Sequence, residues 1–344
     1  MKLHFITEIQ GGAWGGGNQF QKALLGYLQE RDAYAEEIEK TDAVLANSHH
    51  WGERLFEVFR LKRCNPGLII LHRVDGPVSV VRSAPRQLVV DQSIMGFNER
   101  IADGTIFQSM WSQSQYLALG MDASKPHVVI HNAPDPAIFY PPQERGPVNR
   151  VRLVAGSWSA NERKGFDVYQ HLDEHLDFSR YAFTFVGNSP VRFRNIQHKP
   201  PMPSGALADE LRSHELFVHA SHMESCSNFL IEAMNCGLVP VVRNNTSHPE
   251  IVSYGGLLFE GVDDVLSKIE LAALQQDDLR NTMRPHTLDE VGDAYLEFAR
   301  RVCEQKANTF TKPSWSDLAS VWTGLHKIRL QSRWEQLVNI EGRA

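Results

Sequence analysis

Cysteine is scarce in this chain of 344 residues: only Cys64, Cys226, Cys236 and Cys303 are present. Their spacing matches neither a disulfide framework nor a zinc site, which fits a reducing compartment. A basic excess is missing too. Thirty-five Lys and Arg against 41 Asp and Glu leave a formal net charge of -6 and a pI near 6.2. That balance argues against nucleic acid as the main partner, because phosphate-tracking proteins carry surplus positive charge. Long apolar runs are also lacking. The opening MKLHFITEIQ has no signal-peptide core, and nothing downstream reaches the roughly 20 apolar residues of a membrane span. The expectation is a soluble, cytoplasmic protein, in which the formal glycosylation sequons at Asn244 and Asn245 go unused. There is no internal repeat and no low-complexity segment.

What the chain does have is enough apolar residue, 42%, for a sizeable core, and a length suited to two domains. Short β-rich runs at 3–7, 43–47, 67–72, 104–108 and 127–131 alternate with helix-like stretches at 18–30, 51–62, 88–101 and 110–118. Each run is almost wholly apolar, as in parallel strands buried on both faces. Residues 133–149 carry five prolines and no periodicity, a linker signal. The alternation restarts with strands at 151–156, 181–187, 215–220, 238–242 and 255–259. Helices are expected near 165–176, 205–213, 228–236, 248–253 and 262–275, then near 287–305 and from Trp315 to about Leu337. The fold class expected is α/β, with two Rossmann-like domains whose parallel sheets face a cleft. The expected division is 1–142, 143–314, and a tail 315–344 that returns to the first domain.

The most informative stretch is HASHMESCSNFLIEAMNCGLVPVV, residues 219–242. A strand ends near Ala220, and a helix begins around Ser227 and Asn228, both good N-cap types. That helix is apolar almost all round, with Glu232 in its middle. A lone buried carboxylate costs several kcal/mol unless it is paired, so an internal ion pair is one reading. The other involves Glu224, eight positions earlier. Helical side chains lean toward the N-terminus, so Glu232 points back to the crevice that Glu224 borders. Between them lies a helix start, whose free N–H groups favour phosphate. Two carboxylates flanking an anion site suit a ligand with hydroxyls at both ends, such as a nucleotide sugar.

This run resembles the E-x7-E signature of retaining GT-B glycosyltransferases, especially their large family 4. HNAPDPAIFYPP at 131–142 resembles that family's interdomain segment, Pro249-Glu250-Ile251-Val252 the segment after the donor helix, and Ser314-Trp315 the start of its terminal helix. The resemblance implies a GT-B fold and transfer of a sugar from a nucleoside-diphosphate sugar to an acceptor hydroxyl, with retention and without metal. It implies that Glu224 holds the transferred sugar and Glu232 the ribose. The backbone amides of Ser225, Cys226, Ser227 and Asn228 would hold the diphosphate. Lys164, with Arg163 beside it, falls where the family binds the diphosphate. Taken alone, the pair Arg163-Lys164 reads as a solvated helix end. The family's usual earlier arginine is replaced here by Ser157 or Trp158, and the run Lys199–Met202 lies where relatives contact the base.

The loop GGAWGGGNQF, Gly11 to Phe20, lets backbone approach a phosphate or sugar closely. Gly15, Gly16 and Gly17 are the donor-binding candidates there. A dinucleotide site is the alternative, but no acidic residue closes a second strand about twenty positions on. LHRVDGP, residues 71–77, follows the third strand. His72 and Asp75 are expected to look into the cleft, His72 at a position where relatives touch the donor sugar; a structural histidine is the competing reading.

No D-x-D motif occurs, which speaks against a metal-dependent GT-A enzyme. His171 and His175 share a helix face without a third ligand, so no metal site and no cofactor are expected. The acceptor is left open among carbohydrate, lipid-linked and small-molecule hydroxyls. Arg60, Lys62 and Arg63 beside Phe56 and Phe59 read either as a solvated helix end or as a peripheral contact with an anionic membrane. Competing functions are a nucleotide-sugar epimerase or sugar-phosphate synthase on the same fold, a non-catalytic relative, and a dehydrogenase.

Overall fold

The computed structural model describes residues 1–7, 9, 16–48, 50, 52–146, 149–306 and 312–341. The chain forms two compact units. One comprises Met1–Glu8, Leu25–Ile130 and Gly292–Ala344; the other comprises Ile9–Leu24 and His131–Val291.

The first unit is built on strands β1 (Leu3–Phe5), β2 (Ala43–Asn47), β3 (Ile69–Val74), β4 (Gly104–Phe107) and β5 (His127–Val129). They pair in parallel and in chain order, β1-β2-β3-β4-β5. Helices α1 (Gly16–Glu30, of which Gly16–Leu24 is counted in the second unit), α2 (Leu55–Cys64), α3 (Val78–Val81), α4 (Leu88–Arg100) and α5 (Met110–Ala118) follow the strands in chain order. Every residue of β2 and β3 is buried, which is why these runs read as continuous apolar segments.

The second unit contains β6 (Val151–Ser157), α6 (Phe166–His175), β7 (Tyr181–Gly187), β8 (Gln197–Lys199), α7 (Ser204–Arg212), β9 (Leu216–His219), α8 (Asn228–Asn235), β10 (Val239–Arg243), α9 (His248–Val252), β11 (Leu257–Phe259), α10 (Val262–Leu274) and α11 (Gln276–Thr282). Its sheet is parallel with the order β11-β10-β9-β6-β7-β8. The chain enters at β6, adds β7 and β8 outward, then crosses back to place β9 on the other side of β6. The order reverses between β6 and β9. In open parallel sheets a ligand crevice lies beyond the strand C-termini at such a point. One face is packed by Leu153, Phe185, Tyr169 and Val218, and the other by Val154, Phe217, Leu230 and Met234.

The chain ends in α12 (Leu288–Lys306) and α13 (Trp315–Glu341). A Cβ on Gly104 of β4 would stand 2.9 Å from Val302 and 3.0 Å from Phe298, so α12 lies directly on that strand. Leu318, Val321 and Leu325 of α13 join Val44, Ile70 and Phe97 in one core. The units therefore divide differently from the expected limits. Residues from Gly292 onward belong with the first unit because the apolar face of α12 covers β4. The proline-rich segment after Ile130 belongs with the second because Phe139 is buried in its core and Arg212 donates to the Ile138 carbonyl at 2.8 Å.

The basic cluster on α2 is divided between surface and interior, with Arg60 and Phe56 exposed. Lys62 is 2% exposed, with Nζ 2.8 Å from Asp103, whose other oxygen meets Lys306 at 2.8 Å. Phe59 is buried, and Arg63 donates to the Pro313 carbonyl at 2.6 Å. Half the cluster thus serves the interior. Among the described residues no helix is long and apolar enough to cross a membrane.

Candidate active site

A pocket of about 470 Å³ opens at the C-terminal edge of the second sheet, all of its lining drawn from the second unit. Glycines shape it. A Cβ on Gly156 would stand 2.3 Å from the Val186 carbonyl oxygen and 2.6 Å from Phe229. Gly165 has φ +81° and would put a Cβ 2.0 Å from the Ala220 carbonyl oxygen. Only glycine allows that conformation and approach together. The short helical turn Glu162–Lys164, capped by Asn161 through the Arg163 N–H at 2.9 Å, is thereby laid against the end of β9. This brings Lys164 to Glu224, 60 residues later in the chain. On the other side Ser227 caps α8, its hydroxyl accepting from the Leu230 N–H at 3.3 Å.

The charges are unevenly answered. Lys164 Nζ donates to Glu224 Oε1 at 2.6 Å. Burial pushes the Glu224 carboxyl up, but Lys164 and then His219 outweigh it and hold its pKa below the ordinary range. Glu232, 9% exposed, borders the pocket and has no side-chain partner among the described residues. Burial alone pushes its pKa up to about 8. His219, at the end of β9, has Nε2 3.1 Å from the Ser227 hydroxyl and 3.8 Å from Glu224. Burial, then the neighbouring His248, depress its pKa to about 3, so the ring is neutral.

The pocket thus gathers Glu224, Lys164, Cys226, Ser227, Asn228, Glu232 and Gly16 from the expected donor residues. A Cβ on Gly16 would collide with the Asn228 side chain at 2.5 Å, whereas Gly17 has open space and lies off the lining. Gly15 lies outside the described residues. Arg163 contributes backbone, its carbonyl accepting from the His222 N–H at 2.8 Å, and its side chain is not part of the wall; neither is Ser225. Of the run expected near a base, Pro201 and Met202 line the pocket, while Lys199 is tied to Glu210 at 2.7 Å.

His72 and Asp75 belong to the first unit, outside this lining. His72 does not end its strand, as the sequence suggested, because β3 runs on to Val74. Fully buried, it donates from Nε2 to the Ser48 carbonyl at 2.8 Å, and Asn98 meets Nδ1 at 3.3 Å. The structural reading of this histidine is therefore the one its surroundings satisfy. Asp75 is half-exposed and 3.2 Å from Arg73. His219 and Asn188 also line the pocket; in sequence His219, at a strand end, reads as core packing, and Asn188 carries no signal of its own. Among the described residues no cluster of three or more His, Cys, Asp or Glu has the geometry to hold a metal ion.

Two parallel-sheet α/β domains of this kind make the GT-B fold, and solved structures share it across most of the chain. Sucrose-phosphate synthase from Thermosynechococcus elongatus aligns over 94% of this chain and 79% of its own, with TM-score 0.54 and 15% identity. HepE from Anabaena in complex with UDP-glucose aligns over 89% and 99%, with TM-score 0.61 and 14% identity. The catalytic domain of starch synthase IV from Arabidopsis thaliana, bound to ADP and acarbose, aligns over 86% and 80%, with TM-score 0.57 and 11% identity. At such identities the likeness is one of fold. In sequence, residues 194–287 match the family model described as glycosyl transferases group 1, a span that includes Glu224 and Glu232. No curated protein matches the chain.

Proposed function

We propose that the chain is a glycosyltransferase, moving a sugar from a nucleoside-diphosphate sugar to an acceptor hydroxyl with retention of configuration and without metal. One observation carries the reading. At the switch point, an unpartnered buried carboxyl and a Lys–Glu pair stand on either side of the start of α8. An isolated carboxyl at such depth is costly unless hydroxyls or cations come to meet it, and the helix start between favours an anion. The group 1 family match and the nucleotide-bound complexes among the GT-B structures support the same reading.

In this mechanism Glu232 accepts from the ribose hydroxyls and Glu224 from a hydroxyl of the transferred sugar. Lys164 turns from Glu224 toward the diphosphate and, with the amides at the start of α8, stabilises its charge as the glycosidic C–O bond breaks. The acceptor oxygen bonds to the anomeric carbon on the face the diphosphate leaves, and its proton passes to a departing phosphate oxygen. No protein atom bonds to the sugar. Catalysis then rests on orientation and charge stabilisation.

A thermal-shift panel of UDP-, GDP-, ADP-, dTDP- and CMP-sugars, run without added metal on wild type and Glu232→Ala, tests the reading. One nucleotide class at about a hundred times its dissociation constant stabilises wild type by roughly 2.7 kcal/mol, and the variant loses the response. A panel that moves neither melting curve refutes the proposal.

A further inference from the structure

We infer that Trp158 is the platform on which the donor's nucleobase stacks; the inference rests on the transferase reading of the pocket. Strand order lays out the pocket wall. Along the sheet edge come β9 with His219, then β6 with Gly156 and Ser157, then β7 followed by Asn188, and β8, after which Pro201 and Met202 follow. The groups that answer hydroxyls and phosphate, Glu224, Lys164 and the start of α8, come from β9 and the β6-to-α6 turn. What remains toward β7 and β8, with Asn188, Pro201 and Met202, carries no charged side chain, a place for the end of the ligand that carries neither phosphate nor sugar.

Trp158 stands at that boundary. Its indole lies nearly parallel to Phe229, with centroids 6.0 Å apart and planes 12° from parallel. Asn188 Nδ2 donates to its carbonyl at 2.8 Å, and the Asn188 N–H to the Ser157 carbonyl at 2.7 Å. A Cβ on Gly187, where φ is +113°, would come within 3.0 Å of the indole and 2.1 Å of the Ser157 oxygen. The ring thus lies against Phe229 and Gly187, with its backbone tied down by Asn188, yet it is 40% exposed and lines the pocket. An aromatic surface already fixed and left open to the pocket has little freedom to lose when a ligand binds, and stacking asks only for a π-face, which every base has. Trp158 therefore supplies affinity to any nucleoside diphosphate rather than choice among bases.

The test measures dissociation constants of UDP, GDP, ADP, dTDP and inorganic pyrophosphate for wild type, Trp158→Phe and Trp158→Ala, with tryptophan fluorescence alongside. The expected result is a roughly 5- to 100-fold weaker affinity of Trp158→Ala for every nucleotide that wild type binds. Affinity for pyrophosphate stays the same, and Trp158→Phe retains most of the nucleotide affinity. Nucleotide-induced quenching seen in wild type is lost in Trp158→Phe, a readout available even if Trp158→Ala does not fold. Unchanged nucleotide affinity in Trp158→Ala, equal weakening of nucleotide and pyrophosphate, or quenching that survives in Trp158→Phe overturns the inference while leaving the transferase reading in place. A wild-type protein that binds none of the nucleotides overturns both.

Discussion

Glu232 makes the sharpest claim, because its surroundings offer no charge to answer it. Burial raises its carboxyl from an ordinary 4.5 to about 8. A displacement of that size means that the ionised form costs on the order of 5 kcal/mol more in the fold than in the unfolded chain. The folded-state pKa is the higher one, so the associated stability is complete below about 4.5 and is lost as pH climbs to 8. At pH 7 most of that loss, roughly 3 kcal/mol, has occurred, because the unfolded chain ionises and the fold still holds the proton. Glu232→Gln keeps the shape and cannot ionise. Its amide brings a hydrogen-bonding cost of its own, on the order of 1–3 kcal/mol, but that cost does not vary with pH. The measurement is therefore the difference between variant and wild-type melting temperatures at pH 5, 7 and 9. At roughly 2–4 °C per kcal/mol for a unit of this size, the variant should gain about 10 °C on wild type between pH 5 and pH 9. Two melting curves that run parallel across that range refute the argument.

The same carboxyl couples binding to protons. Ribose hydroxyls donate only to its ionised or lone-pair oxygens and favour the charged form. Nucleoside-diphosphate binding near pH 7 should then release up to one proton, and affinity should rise with pH until about 8. Calorimetry in buffers of different ionisation enthalpy reads the proton directly.

Three further outcomes follow from the geometry. Lys164→Met should lower kcat by roughly 10²- to 10³-fold with a smaller change in donor KM, measured in steady-state assays with the donor the panel identifies. It should also move the acid limb of stability upward, because Glu224, held low by Lys164, contributes stability that is lost as pH falls through its folded pKa. Gly165→Ala puts a Cβ into the Ala220 carbonyl at φ +81°, which should cost about 3 kcal/mol or more in urea unfolding and abolish nucleotide binding. Lys62→Met leaves the buried Asp103 with Lys306 and the Ile70 N–H but without its buried cation, and should cost the first unit about 3–5 kcal/mol by the same measurement.

How far the sequence spoke for itself depended on what each residue had to do locally. The strands were legible because both faces of each sheet are covered, and the α8 start because Ser227 caps it in sequence-local fashion. Strand β8 was not, since Gln197 and His198 are exposed and carry no apolar signal. The unit boundaries went astray where proline suggested a linker, whereas Phe139 needed a core; composition shows the breaks in a helix but not the surface a ring will find. Glu224 and Glu232 were readable from their spacing along one helix and loop. Trp158 and Lys199 were not assignable, because what decides them is a neighbour brought from far along the chain: Phe229 for the first, Glu210 for the second. His72 shows the converse error, since its place on the sequence suggested a strand end and two further residues of pairing bury it.

The pocket is close to neutral although it gathers several ionisable groups, and on the proposed function this bears on how a donor enters. Lys164 is already engaged by Glu224 at 2.6 Å. Glu232 holds a proton at neutral pH, and burial keeps His219 uncharged. Each isolated charge is avoided, as burial demands. A diphosphate arriving alone draws Lys164 away and leaves Glu224 without its cation. On the proposed function the sugar's hydroxyls restore partners to Glu224, as the ribose hydroxyls do for Glu232. Sugar and nucleotide therefore stabilise each other's binding through one lysine. A donor with both ends in place satisfies three side chains that either half alone would leave in deficit, and the energy made available at Lys164 falls where the leaving charge develops.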